Sequence, residues 1–62
     1  MKNKIRELRA RHRMTQDDLA AAVNVSRQTI NAIENDKYDP SLPLAFSLAR
    51  KFKCRIEDVF FD

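Results

Sequence analysis

Sixty-two residues with 12 basic and 9 acidic side chains, no glycine, one cysteine and one histidine leave few ways of holding so short a chain together. Cys54 has no internal disulfide partner, Cys54 and His12 fall short of the four nitrogen or sulfur ligands of a structural zinc site, and no apolar run nears the ~18 residues of a membrane span. We therefore expect one domain over 1–62, without metal, cofactor or membrane segment, held by regular helix packing and a partner subunit, because a domain this small buries only about 60% of its unfolded surface.

The net charge of +3 is unevenly spread. Residues 1–14 carry Lys2, Lys4, Arg6, Arg9, Arg11 and Arg13 against Glu7, and a second basic cluster holds Arg50, Lys51, Lys53 and Arg55. Between them Asp17, Asp18, Glu34, Asp36 and Asp39 outweigh Arg27 and Lys37. Such a pattern suits a polyanion partner, and equally an ordinary solvated face. The basic start Met1-Lys2-Asn3-Lys4 is followed by no apolar signal segment, so a cytoplasmic location with reduced Cys54 is expected.

In chain order, Ile5 and Leu8 lie three apart among basic residues and predict a first helix over 2–12. Thr15 caps a second over 16–23, with Asp17 and Asp18 in its first turn and Leu19, Ala20 and Val23 buried. Asn24, the residue after glycine most tolerant of left-handed backbone, ends it. Val25 plugs the turn, and Ser26 caps a third helix over 27–34 with Ile30 and Ile33 inward. So short a connection makes the second and third helices cross steeply. After a polar loop, Asp39-Pro40-Ser41 stops and restarts the chain. The fourth helix, 42–53, stacks Leu42, Ala45, Leu48, Ala49 and Phe52, with Pro43 harmless in its first turn. Residues 56–60 form a short fifth helix with acids near its start. The fold class is all-α.

Residues 16–35, QDDLAAAVNVSRQTINAIEN, carry the functional signal. At 3.6 residues per turn, Gln28, Asn31, Ala32 and Asn35 share roughly a third of the third helix's circumference, opposite Ile30 and Ile33, with Arg27 at the leading end. A plain solvated helix would more typically carry Glu and Lys pairs four apart. Arginine pairs bidentately with guanine and glutamine with adenine, while Ala32 and the Thr29 methyl suit a thymine methyl group. The Asp17-Asp18 pair has no accompanying nucleophile, metal cluster or phosphate loop and reads as helix capping, so an enzyme is not expected.

The stretch TQDDLAAAVNVSRQTINAIENDKYDP, and above all Ser26-Arg27-Gln28-Thr29-Ile30 and Glu34-Asn35-Asp36-Lys37-Tyr38-Asp39-Pro40-Ser41, resembles the Xre family of helix-turn-helix regulators, which includes the phage Cro and repressor proteins. The resemblance extends from Ile5-Arg6-Glu7-Leu8-Arg9 to Ile56-Glu57-Asp58-Val59-Phe60. It implies a lambda-repressor-like five-helix domain whose helix-turn-helix comprises the second and third helices, with the third in the major groove of double-stranded DNA. It further implies base contacts from Arg27, Gln28, Thr29 and Ala32, and phosphate contacts from Gln16, Asn31, Asn35, Lys37 and Tyr38. Asn24 replaces the glycine frequent in the turn, Ala32 stands where several relatives carry a longer base-reading residue, and the chain ends at Asp62, short of the C-terminal pairing strand of some relatives.

Val59-Phe60-Phe61 is very apolar, and a helix cannot turn adjacent phenylalanines both inward; with Leu44, off the buried stripe, these residues are the expected dimer interface. A twofold dimer would set two recognition helices about 34 Å apart. The expected function is a homodimeric repressor at a short inverted repeat, with no small-molecule effector; an antitoxin or other protein-interaction module is the alternative.

Overall fold

Helices begin where a side chain can satisfy their free N–H groups. The computed structural model describes residues 1–62 as β1 (Lys2–Asn3), α1 (Ile5–Arg11), α2 (Gln16–Ala22), α3 (Arg27–Glu34), α4 (Leu42–Lys51), α5 (Ile56–Val59) and β2 (Phe60–Phe61). Thr15 Oγ1 accepts the Asp18 N–H at 3.0 Å while Asp18 Oδ2 accepts the Thr15 N–H at 2.9 Å, a reciprocal cap. Ser26 Oγ accepts the Thr29 N–H at 3.1 Å and Ser41 Oγ the Leu44 N–H at 3.3 Å. At α5, Asp58 Oδ2 accepts the Arg55 N–H at 3.1 Å.

Helix ends repeat one device without glycine. Arg13, Asn24, Asp36 and Lys53 take left-handed backbone, with φ of 55°, 61°, 59° and 57°. The next N–H then closes onto the carbonyl five residues back: Met14 to Arg9, Val25 to Ala20, Lys37 to Ala32 and Cys54 to Ala49, at 2.9, 3.0, 2.9 and 2.9 Å. Each is a Schellman closure, which satisfies carbonyls the helix leaves free. Asn24 does this as its residue type predicts, whereas Arg13 and Lys53 carry a Cβ into a region that disfavours one.

One continuous core collects side chains from every helix. Ile5, Leu19, Ile30, Ile33, Leu48 and Val59 are fully buried, and Leu8, Ala20, Ala45, Ala49, Phe52 and Phe60 complete it. Val23, Val25, Leu44, Cys54 and Ile56 pack partly against it. Leu42, expected on the inner stripe of α4, is instead 64% exposed. It lies at the first position of α4, while Leu44, expected off the buried stripe, packs partly against the core.

The two chain ends depart from the all-helical expectation. Residues 2–3 and 60–61 are extended and pair antiparallel, Lys2 opposite Phe61 and Asn3 opposite Phe60. The Lys4 N–H continues the clasp to the Val59 carbonyl at 2.9 Å. Asn3 explains the late start of α1: its Oδ1 accepts the Ile5 N–H at 3.2 Å and its Nδ2 donates to the Ile33 carbonyl at 2.8 Å. One amide thereby ties the start of α1 to the end of α3.

Candidate nucleic-acid interface

The site is built from behind. Ile30 and Ile33, one turn apart on α3, are buried against α2 and the core, each worth about 1.5–3 kcal/mol relative to exposure. Their burial fixes the rotation of α3 and sends its other side outward. There Arg27, Gln28, Asn31 and Asn35 are exposed, with Thr29 and Ala32 half-buried beside them. Arg27, Gln28 and Asn31 line a shallow recess of about 240 Å³. Asn35 Nδ2 donates to the Asn31 carbonyl at 2.9 Å and to Asn31 Oδ1 at 3.2 Å, joining the two amides. The Thr29 hydroxyl lies 2.9 Å from Ser26 Oγ, so its polar end is engaged in the cap.

Glu34, the single acid of α3, is turned away from this face. Its side chain is 1% exposed and receives Arg9 in bidentate fashion, Nε to Oε2 at 2.6 Å and Nη2 to Oε1 at 3.2 Å. Gln16 Nε2 donates to Oε1 at 3.0 Å, and Arg6 Nε stands 3.5 Å away. Burial works to raise the Glu34 pKa, but the hydrogen bonds from Arg9 and Gln16 and the charges of Arg9 and Arg6 outweigh it, so the carboxyl lies below its ordinary range. Arg9 also donates to the Met14 carbonyl at 3.1 Å, so the cluster binds α1, the start of α2 and the end of α3 together. The sequence pattern did not reveal this cluster. The available signal was an isolated acid beside a core isoleucine together with an arginine near an apolar stripe.

The remaining acids of the middle segment are also occupied. Asp18 is held below the usual carboxylate range by the Thr15 backbone and side-chain hydrogen bonds. Asp36 and Asp39 face the Met1 amino group, Asp39 at 2.7 Å. Asp17 lies 3.7 Å from Arg27 Nε. No group of three His, Cys, Asp or Glu side chains converges as a metal site would need, and no helix is long and apolar enough to cross a membrane.

An outward polar helix face, braced by a partner helix crossed through a short turn, matches known proteins throughout the chain. Residues 5–59 match the family model described as helix-turn-helix. An HTH-type transcriptional regulator of Methanocaldococcus jannaschii is 60% identical over 60 residues, covering 97% of this chain and 91% of that protein. The chain belongs to this helix-turn-helix family of transcriptional regulators. The HTH-type regulator YgzD of Bacillus subtilis is 50% identical over 60 residues, 97% of this chain and 91% of its own. Among solved structures, the restriction-modification controller C.AhdI of Aeromonas hydrophila shares the fold with a TM-score of 0.83 over 92% of this chain and 86% of that one, at 24% identity. The clp gene regulator ClgR of Corynebacterium glutamicum superposes with a TM-score of 0.80 at 26% identity over 87% of this chain and 57% of its own. This family is a class of DNA-binding regulators, and the expected Xre-like membership and five-helix architecture hold.

In this helix-turn-helix frame α2 and α3 are the paired helices, and the residues expected at phosphate lie on them or just beyond α3. Lys37 and Tyr38 are exposed just beyond its end. Gln16, half-buried at the start of α2, keeps its amide on Glu34. The residues expected at a dimer interface differ in exposure. Val59 is 0% and Phe60 5% exposed within the single chain, so neither offers a surface, and Leu44 packs partly into the same core. Only Phe61 of that group stands out, because strand alternation points Phe60 inward and its neighbour outward. The exposed apolar side chains the sequence reading passed over or misplaced are Phe46 and Leu42, four apart on α4. Leu42 borders an apolar groove of about 230 Å³ shared with Ala45, Ile56 and Phe60.

Proposed function

We propose that this cytoplasmic regulator acts as a single-domain homodimeric repressor that occludes a promoter at a short inverted repeat. The observation carrying this reading is the outward side of α3: Arg27, Gln28 and Asn31 are exposed to solvent, while Glu34, the one acid of that helix, is sequestered behind them. In this reading Arg27 and Gln28 meet base edges, and Ala32 and the Thr29 methyl make apolar contact beside them. Gln16, Asn31, Asn35, Lys37 and Tyr38 hold the flanking phosphates and set the register. Gln16 has a second amide hydrogen left after its bond to Glu34.

Dimerisation is supported by size and surface. The longest dimension of the chain is 25 Å, shorter than the roughly 34 Å between successive major-groove faces of one DNA side, so one copy reads one half-site. Leu42 and Phe46 on α4, with Phe61, supply exposed apolar area for the twofold contact. The test of the DNA reading is a selection from random duplexes followed by binding measurements on variants. Arg27→Ala and Gln28→Ala are expected to relax sequence preference, each by about 1–3 kcal/mol of discrimination. Gln16→Ala and Lys37→Ala weaken binding to all sequences alike. An unchanged preference in the first pair overturns the groove assignment.

A further inference from the structure

Arg27 is the leading side chain of α3, and it is not left alone in the free protein. Asp17, in the first turn of α2, sets its carboxylate 3.7 Å from Arg27 Nε across the helix-turn-helix, with the Arg27 and Asp17 side chains 60% and 77% exposed. So exposed a pair contributes little to the stability of the fold. Its consequence is directional. A carboxylate on the Nε side of the guanidinium, at ion-pair rather than hydrogen-bond distance, leaves Nη1 and Nη2 free as two parallel donors, the arrangement that fits guanine O6 and N7. Glu34 cannot serve this purpose because it is enclosed by Arg9 and Gln16, and Asp18 is committed to the Thr15 N–H.

We propose that Asp17 is a specificity-determining positioning residue: it holds Arg27 over the recess shared with Gln28 and Asn31, so that the arginine addresses a base edge rather than a neighbouring phosphate. This rests on the reading of α3 as the groove-reading helix. The same negative charge opposes DNA phosphates generally, so Asp17 lowers affinity for arbitrary duplex while raising discrimination. An arginine without it has the reach to pair with phosphate on either side, contacts that carry no sequence information.

The experiment measures, in a double-mutant cycle, the dissociation constant for a duplex altered at the preferred guanine divided by that for the selected duplex. Arg27→Ala is expected to lower the ratio by roughly 5- to 150-fold, the worth of one bidentate pair. Asp17→Asn lowers the ratio severalfold in the natural background, tightens binding to arbitrary duplex, and has no further effect on the ratio once Arg27 is alanine. Asp17→Glu, which keeps the carboxylate, retains most of the discrimination. Thermal unfolding of each variant shows that the fold is intact. An unchanged ratio in Asp17→Asn, or an equal change with and without Arg27, overturns the proposal while leaving the groove assignment standing. An unchanged ratio in Arg27→Ala removes the groove assignment, and this proposal with it.

Discussion

Arg9 shows how much one side chain carries in a chain of this size. Its guanidinium supplies both hydrogen bonds of the fork that holds Glu34, whose side chain is 1% exposed. Arg9→Ala leaves that carboxylate buried with only the Gln16 amide at 3.0 Å and the more distant Arg6. Breaking a buried pair from one side typically costs about 3–5 kcal/mol, much of the stability available to a small domain. Urea unfolding of Arg9→Ala is therefore expected to show a clearly lower midpoint than that of the natural protein. The same carboxylate sets an acid dependence. Its folded pKa lies below the unfolded value, which is about 4.3 for glutamate. The stabilisation is thus fully present above the unfolded pKa and drains away as pH falls through the folded one. Denaturant titrations over a pH series should show this acid loss in the natural protein and a shallower one in Glu34→Gln, which cannot titrate at that position.

At the scale of the element, every long helix is bounded by side-chain caps or by a closed C-terminus, and the starts and ends differ in how well the sequence suits them. Thr15, Ser26 and Ser41 are favourable N-caps in the positions they occupy. Ser26→Ala removes the acceptor of the Thr29 N–H and is expected to cost about 1 kcal/mol. It also loosens the first turn of α3, where Arg27 and Gln28 stand. The C-terminal closures at Arg13 and Lys53 carry conformational strain because each has a Cβ at positive φ. Glycine there relieves about 1–2 kcal/mol but loses some of that to the greater freedom of the unfolded chain. Arg13→Gly and Lys53→Gly are each expected to raise stability by about 0.5–1 kcal/mol, read as a higher denaturation midpoint with unchanged slope.

For the whole molecule, the open question of assembly becomes a question about α4. Leu42 at 64% and Phe46 at 45% exposure form an apolar step on one side of that helix. Neither touches the outward face of α3 in any hydrogen bond or ion pair. If this step joins two copies, Phe46→Glu and Leu42→Glu produce a monomer in sedimentation at high micromolar concentration. The natural chain is then expected to sediment as a dimer under the same conditions. Both variants should keep their helical signal, because the charges replace side chains already facing solvent. A natural chain that remains monomeric with and without DNA counts against the twofold arrangement.

Much of this was legible in the residues. Ile30 and Ile33 at helical spacing, the caps at Thr15, Ser26 and Ser41, and left-handed Asn24 each act within a few residues of themselves. Local chemistry therefore set the helices, the crossing of α2 on α3 and the outward face of α3. The partners of Glu34 were not legible: Arg9 and Gln16 lie 25 and 18 residues away, and three helices must pack before the carboxylate is enclosed. The same holds for the ends. Phe60 and Asn3 pair only because α5 returns the chain to its start, with Phe60 inward and Phe61 outward. The sequence alone thus determined which residues line the outward face of α3, since periodicity is a local property. Tertiary structure decided which charges are spent inside the fold and which apolar side chains remain outside, because burial depends on everything that packs around a residue.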